Sequence, residues 1–361
     1  MTEFEKKFGE KVLVELPKII ESPYPYLVLG DLPEVGDRLL GFRSDGILEL
    51  QRDVFRILEL AKPLKSTFYT ALTEKMNRDV EREIVRQENE LDGSLGIIQM
   101  DRYIGEELGG SNYFRMNISR GIDGGLMPRP GTVRLPEDQV NDLADWARKG
   151  NYKKLLFVDD VLAFGDTLSP LITMVQNVLP NAEMEVLVGV AASGGGWSGK
   201  ERVEQETGVN VNALCISVAC EENDWTSGMA IPTSRDFTFL GGKVMFDSKR
   251  GYDFNYPYFL PYSVPVLSFM SRSKRMEISW ELMNASRKSV VMINKERGND
   301  LLLGELVAKG FGVPMTRLQC LSRSIVNPDP CASVLDYLDY YQKVFEKNYS
   351  KIHDEIIEKG F

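Results

Sequence analysis

The most regular pattern of apolar and polar positions lies between residues 93 and 220. Short, almost wholly apolar runs, typical of strands buried in a parallel sheet, alternate there with amphipathic segments of helical period. The predicted strands are residues 95–100, 113–118, 153–158, 184–192 and 209–218, and the predicted helices are residues 137–148, 168–179 and 199–207. This alternation predicts an α/β fold with a doubly wound, mostly parallel sheet.

The two ends of the chain follow other patterns. Residues before 45 mix short apolar pieces with proline and glycine, and helices are predicted at residues 46–60 and 66–90. Residues 237–269, rich in aromatics and proline, predict an irregular cover, or hood, and residues 334–356 predict an amphipathic helix. We therefore predict three parts: an N-terminal helical or irregular extension (1–92), an α/β core (93–222), and a C-terminal hood with a helical region (223–361).

The amino-acid composition limits the partners, the location and the catalytic chemistry that we expect for this protein. A net charge of −10 over 361 residues disfavours nucleic acid and anionic membrane as partners. Apolar runs are too short to cross a bilayer, and residues 1–16 lack a secretion signal, so we expect a cytoplasmic protein whose four cysteines are reduced and mostly buried. The single histidine, His353, leaves almost no material for histidine-based triads or histidine-ligated metals.

The strongest motif is LLFVDDVLAFGDTL, residues 155–168. An apolar run is followed by an acid pair, two apolar residues and a small turn that opens a predicted helix; the polar and turn positions are Asp159, Asp160, Ala163, Phe164, Gly165, Asp166 and Thr167. Backbone amides at a helix start can cradle a phosphate. Adjacent carboxylates at the end of a strand lie where open α/β sheets bind ligands, and they can accept hydrogen bonds from a ribose diol and help to hold a hydrated Mg²⁺.

The run VDDVLAFGDT resembles the phosphoribosyl-pyrophosphate signature of type I phosphoribosyltransferases. The resemblance implies that Asp159 and Asp160 contact the ribose hydroxyls and Mg²⁺, and that residues 163–167 surround the 5-phosphate. Two positions depart from the signature. Phe164 stands where a threonine or serine hydroxyl usually contacts the phosphate, and Asp166 places a carboxylate near the same anion unless it points away or caps the helix.

Neighbouring segments extend the resemblance over residues 93–220. Asp101, Arg102 and Tyr103 resemble the pyrophosphate-binding loop after the first strand, with Arg102 as its basic residue and Tyr103 in place of the usual glycine. Residues 120–131 resemble the mobile loop that closes over the site. Arg120, at the start of that loop, is expected to reach the pyrophosphate on closure.

The reaction that the resemblance implies is Mg²⁺-dependent transfer of the phosphoribosyl group of phosphoribosyl pyrophosphate to a nitrogenous base or related acceptor. Asp159, Asp160 and Arg120 would be its catalytic residues, and no nucleophilic side chain is needed. Two alternatives stay open. One is a non-catalytic module that senses a phosphoribosyl or nucleotide ligand; the other is an effector of a bacterial conflict system, with the same fold, that acts on nucleotides or nucleic acid.

Three further segments allow two interpretations each. The glycine-rich residues 194–201 form either a nucleotide phosphate loop or a tight turn between strand and helix. The aromatic residues within 252–262 either stack on a base or only cover the core. The last helix either packs inside the protein or contacts a second copy of the chain or another protein partner.

Overall fold

The computed structural model describes residues 12–13, 18–22, 25–61, 67–100, 104, 108–121, 125–130, 132, 134–193, 198–219, 233–247, 252–262, 272–315 and 329–358. The chain divides into two units, each described here by itself. The first unit comprises the described parts of residues 1–27, 65–128 and 133–231, and the second those of residues 28–64, 129–132 and 232–361.

The described elements run in the following chain order. The strands are β1 (Val12–Leu13), β2 (Ile19–Ser22), β3 (Pro25–Gly30), β4 (Thr67–Leu72), β5 (Leu95–Gln99), β6 (Tyr113–Arg115), β7 (Ile118–Arg120), β8 (Leu126–Pro128), β9 (Lys154–Leu162), β10 (Glu183–Ser193), β11 (Asn210–Ala219), β12 (Lys243–Asp247), β13 (Tyr252–Tyr256) and β14 (Val313–Pro314). The helices are α1 (Leu32–Leu40), α2 (Asp45–Ala61), α3 (Thr73–Glu90), α4 (Pro136–Gly150), α5 (Leu168–Val178), α6 (Gly199–Thr207), α7 (Arg272–Arg297), α8 (Leu303–Ala308) and α9 (Val334–Glu358), with a 3₁₀ turn at Ser234–Phe237.

A six-stranded, all-parallel sheet with the order β2-β11-β10-β9-β5-β6 forms the centre of the first unit. One face packs against α4, α5 and α6 through Leu143, Leu171 and Val203, and the other packs against α3 through Val80 and Ile84. Because both faces are covered, the strands are apolar along most of their length. The predicted α/β fold with a parallel sheet is confirmed, and its edge strand β2 comes from the predicted N-terminal extension.

The order of the strands reverses between β5 and β9. From β5 the chain continues to β6 on one side, and β9, β10 and β11 then follow on the other side. In open α/β sheets the crevice at such a reversal, beyond the carboxyl ends of the strands, is where ligands bind. The sheet topology therefore predicts a ligand-binding site at the carboxyl ends of β5 and β9.

Residues 113–118, predicted as a single strand, form parts of two strands instead. The break falls at Asn117, whose backbone amide donates to Oε1 of Gln139 at 2.7 Å and whose carbonyl accepts from Nε2 at 3.2 Å. The buried amide side chain thus replaces sheet partners at this point. Beyond the break, β7 pairs antiparallel with β8, which lies inside the loop predicted at residues 120–131.

Two predicted boundaries also moved. The helix predicted from residue 66 begins at Thr73, because the aromatic and β-branched run TFYTAL forms β4 first. The strand predicted to end at residue 158 continues to Leu162, in register with β10 as far as Ala191. The acid pair of the motif consequently lies inside a strand rather than after it.

The second unit is built on the long helix α7, which the sequence pattern did not reveal. It packs against α2, where the Ser289 hydroxyl donates to the Gly46 carbonyl at 2.9 Å. It also packs against α9 through stacked rings of Trp280 and Phe345, whose centroids are 5.7 Å apart. The predicted final helix is confirmed by α9. Within the described ranges, no helix combines the length and apolarity that crossing a bilayer requires.

The predicted irregular hood is partly regular. Residues 243–247 and 252–256 form the antiparallel pair β12–β13, and β14 adds to it in parallel. Of the cysteines, Cys215 is buried and Cys331 is exposed, both as free thiols, whereas positions 220 and 320 lie outside the described residues. The expectation of mostly buried cysteines therefore does not hold at Cys331.

Candidate functional site

The acid pair lies near the carboxyl end of β9, with β5 and β10 on either side. Asp159 is opposite Val188 in the parallel register, and both acids are half-buried. Each carboxylate accepts a hydrogen bond from the next backbone amide: Asp160 N donates to Asp159 Oδ1 at 3.1 Å, and Val161 N donates to Asp160 Oδ1 at 2.7 Å. Asp159 and Asp160 are thus held at the end of the sheet where the strand order reverses.

The end of β5 is adjacent to that of β9. Met100 N donates to the Val158 carbonyl at 2.8 Å, so the two strands stay together up to the predicted pyrophosphate loop. The loop residues themselves, Asp101, Arg102 and Tyr103, lie outside the described residues. Their assignment stays a prediction.

The turn after β9 depends on two glycines. Gly165 has a φ of +75°, in the left-handed region, and a Cβ there would lie 3.0 Å from Cγ2 of Val203. Gly199, the first residue of α6, donates its amide to the Ala163 carbonyl at 3.0 Å, and a Cβ on Gly199 would lie 2.6 Å from that oxygen. The turn at residues 163–167 therefore packs directly against the start of α6.

The same turn leads into α5. Thr167 is the N-cap residue of this helix, and its side chain makes no capping hydrogen bond. The first amides of a helix have no intrahelical partner and carry a partial positive charge. Residues 163–167 thus precede the positive end of α5, as the motif predicts for a phosphate-binding turn.

Asp166 contacts two arginines. Its Oδ2 accepts from Nη1 of Arg120, at the end of β7, and its Oδ1 accepts from Nη1 of Arg202, in α6. The same Nη1 of Arg202 lies 3.1 Å from the carbonyl oxygen of Phe164. The negative charge that Asp166 brings to the turn is therefore balanced by the two arginines beside it.

Glu206 completes the cluster, one turn further along α6. Nε of Arg202 donates to Oε1 of Glu206 at 2.9 Å. Hydrogen bonds to Glu206 and then to Asp166 raise the pKa of Arg202, and the bond from Arg202 lowers the pKa of Glu206. Both groups are therefore ionised at neutral pH.

The sequence analysis did not identify Arg202. It lies after the glycine-rich stretch, in a helix with an unremarkable pattern of charged residues. Its position depends on the packing of the α6 start against the turn, which Gly165 and Gly199 allow. Only the three-dimensional arrangement brings Arg202 to the motif.

The nucleotide-loop interpretation of residues 194–201 finds no support in its described part. Ser198 caps α6, accepting from the Glu201 amide at 3.3 Å and donating to the Ala192 carbonyl at 2.9 Å. The Lys200 ammonium, which a phosphate loop would turn to its ligand, pairs with Glu204 and donates to the Val211 carbonyl at 3.1 Å. These contacts are typical of a structural turn between strand and helix.

The aromatic side chains proposed for base stacking are largely buried within the second unit. Phe254, Tyr256, Phe259 and Tyr262 are at most 1% exposed. Phe259 and Tyr262 pack edge to face, with centroids 5.1 Å apart. These four rings therefore fit the interpretation of a packed cover and not that of a base-binding surface.

The acid pair offers carboxylate oxygens to a metal ion. Mg²⁺ in phosphate chemistry keeps several waters and takes one or two protein carboxylates together with substrate oxygens. Asp159 and Asp160 supply such carboxylates, and no group of three or more potential metal ligands occurs among the described residues. Two adjacent carboxylates therefore fit the protein's share of a hydrated Mg²⁺ site.

Among the predicted site residues that are distant in sequence, the described geometry brings Arg120 to the turn. Arg120 meets the turn at residues 163–167 directly, and this turn follows the half-buried acid pair. A scan against protein-family models and a search of curated proteins both find no match to this chain.

Proposed function

We propose that this protein is a Mg²⁺-dependent phosphoribosyltransferase that transfers the phosphoribosyl group of phosphoribosyl pyrophosphate to a nitrogenous base or related acceptor. The observation that carries the proposal is the half-buried acid pair near the end of β9, followed by a glycine turn and a helix start, where the strand order reverses. This combination suits a ligand that has both a ribose diol and a phosphate.

The proposed roles follow from the chemistry of each group. Asp159 and Asp160 accept hydrogen bonds from the ribose hydroxyls and hold the ribose in place for displacement at its C1. The backbone of residues 163–167, at the positive end of α5, holds the 5-phosphate. Bound Mg²⁺ would neutralise the pyrophosphate leaving group.

Arg120 has two roles to fill. In the described arrangement it contacts Asp166, so it supplies positive charge beside the phosphate turn. Its second proposed role is to reach the pyrophosphate when the loop that begins at Arg120 closes over the site, and this closure would also exclude water from the reacting carbon. The first role is the one that the observed contact supports.

One observation favours a non-catalytic sensor as the second candidate. Phe164 offers no hydroxyl to the phosphate, and Asp166 adds a carboxylate to the same turn. A site altered in this way can bind a phosphoribosyl ligand without turning it over. The two candidates share a ligand and differ in chemistry, so one experiment separates them.

The test measures pyrophosphate released from phosphoribosyl pyrophosphate with Mg²⁺ across a panel of purine and pyrimidine bases. We expect release by the wild type and a loss of at least about 100-fold in Asp160→Asn, because an ionised ligand of the ribose and metal becomes a neutral amide. Asp145→Asn is the matched control: this exposed aspartate pairs with Arg148 on α4 at 3.2 Å, and its variant should release pyrophosphate like the wild type.

Binding of phosphoribosyl pyrophosphate, measured by calorimetry in parallel, completes the test. Tight binding without pyrophosphate release by any base would favour the sensor. Neither binding nor release would reject both candidates, and equal release by the wild type and Asp160→Asn would reject the assigned role of the acid pair.

A further inference from the structure

Three segments that are far apart in sequence bring a pair of guanidinium groups to one carboxylate. Arg120 comes from β7, 46 residues before Asp166, and Arg202 comes from α6, 36 residues after it. All three side chains are about one-third exposed, at 28%, 31% and 36% for Arg120, Asp166 and Arg202. The cluster is thus accessible to a dissolved anion.

The position of Arg202 does not depend on Asp166 alone. Its Nη1 also lies 3.1 Å from the Phe164 carbonyl oxygen, and its Nε is bound to Glu206. Val203, the next residue, is fully buried beside Gly165. The guanidinium of Arg202 is therefore expected to stay against the turn when the Asp166 carboxylate leaves.

The Asp166 carboxylate helps to neutralise the positive charge of the two arginines. Arg120 and Arg202 carry two positive charges, and Asp166 and Glu206 carry two negative charges, so the cluster is neutral. Guanidinium groups bind carboxylate and phosphate oxygens with the same planar, charge-assisted hydrogen bonds. A phosphate dianion at this turn would compete with Asp166 for the same donors.

We propose that Arg120 and Arg202 form the phosphate-binding pair of this site and that Asp166 is a built-in competitor that occupies the pair until a phosphorylated ligand displaces it. The ligand class is a phosphomonoester dianion such as the 5-phosphate of a phosphoribosyl group. The inference deepens the proposed function and rests on it for the identity of the ligand. Arg202 is then a binding residue, and Asp166 sets the ligand concentration at which the site fills.

The experiment measures the Kd of inorganic phosphate and of ribose 5-phosphate by calorimetry for the full chain without Mg²⁺. Asp166→Asn is expected to bind both about tenfold more tightly, because the competing charge is gone, and Arg202→Gln about tenfold more weakly. Combining the two substitutions should cancel most of the gain, because the donor that Asp166 blocks is then missing. Thermal melts of each variant verify that the fold is retained.

Matched controls come from α4, where Asp145 and Arg148 form an exposed pair. Asp145→Asn and Arg148→Gln change the net charge as the test variants do but lie on a different helix, so their Kd values should stay within about twofold of the wild type. If Asp166→Asn binds phosphate no more tightly than the wild type, or no more tightly than Asp145→Asn does, the competitor role is wrong. If Arg202→Gln binds phosphate as tightly as the wild type, Arg202 is not a phosphate-binding residue.

The outcome is independent of turnover. Tighter phosphate binding by Asp166→Asn in a protein that never releases pyrophosphate would support the competitor and reject the transferase. Pyrophosphate release by the wild type, together with an unchanged phosphate Kd in Asp166→Asn, would support the transferase and reject the competitor role of Asp166.

Discussion

Each unit of this protein contains an aspartate that meets an arginine, in opposite surroundings. In the first unit, Asp166 is about one-third exposed and bridges two arginines on the surface of the turn. In the second unit, Asp31 is 2% exposed and lies 2.9 Å from Nε of Arg235. An exposed pair contributes little to folding, whereas a buried pair becomes costly once one partner is removed. The carboxylate of Asp166 is therefore available to compete with ligands, whereas that of Asp31 stabilises the fold.

The surroundings of Asp31 show what it holds. Its Oδ1 accepts from the Ser234 hydroxyl at 2.9 Å and from the Arg235 amide at 3.0 Å. The Ser234 hydroxyl also lies 2.7 Å from Oε1 of Gln51, which accepts from the Leu32 amide at 3.3 Å. This buried network joins the starts of α1 and of the 3₁₀ turn, about 200 residues apart in sequence. Its role is structural.

Removing the buried carboxylate gives the largest expected effect. Asp31→Ala leaves the guanidinium of Arg235, which is 19% exposed, without this counter-charge, and we expect a loss of about 3 kcal/mol or more in the free energy of unfolding. Urea unfolding followed by circular dichroism measures it. The matched control is Asp339→Ala, which removes the part-exposed partner of Arg287 in the same unit and should cost less than about 1 kcal/mol. Equal losses in the two variants would contradict the structural role of Asp31.

The pH dependence of stability sharpens the comparison. Burial raises the pKa of Asp31 to about 6, against the opposing effect of Arg235. Between its unfolded pKa near 4 and this value, the folded state keeps a proton that the unfolded state has lost, so stability falls as pH rises through this window. Asp31→Asn cannot titrate there. The advantage of the wild type over Asp31→Asn should shrink by about 2 kcal/mol from pH 4 to pH 7, measured by urea unfolding at each pH.

Other carboxyl groups act in the opposite direction. The pKa of Glu206 and that of Glu305 are lowered by Arg202 and Arg297, so their contributions to stability increase with pH. Glu206 and Glu305 are present in both the wild type and Asp31→Asn, so their contributions cancel in the difference between the two free energies of unfolding. A difference between wild type and Asp31→Asn that is flat or grows with pH would show that the carboxyl of Asp31 is not desolvated.

Features whose signals are local could be predicted from the sequence. The bounds predicted for α6 match those of the structure, because the Ser198 hydroxyl caps its start and Gly208, with a φ of +70°, ends it. The apolar strands of the parallel sheet were predictable for the same reason: burial on both faces leaves a continuous apolar run. The acid pair and the glycine turn stood next to each other in the chain.

Features that depend on distant packing could not be predicted. Helix α7 buries the serines Ser279, Ser286 and Ser289, so its buried face does not form an apolar stripe in the sequence. Strand β2 joins the sheet by pairing Ile19 with Ile216, a partner that no local pattern indicates. Arg202 reaches the turn only because two helix starts meet there. The sequence could not predict these features because each depends on a contact with a segment that is distant in the chain.

The smallest expected effect on folding comes from the exposed cluster. Asp166→Asn removes one charge from an accessible bridge in which Arg202 keeps Glu206 as a partner, so the free energy of unfolding should change by less than about 1 kcal/mol. Urea unfolding beside Asp31→Ala measures it under the same conditions. A loss comparable to that of Asp31→Ala would make the bridge a structural element that ligands could not displace. A small change, together with tighter phosphate binding, would show that the carboxylate is kept in the turn for its effect on the ligand, since folding would proceed almost equally well without its charge.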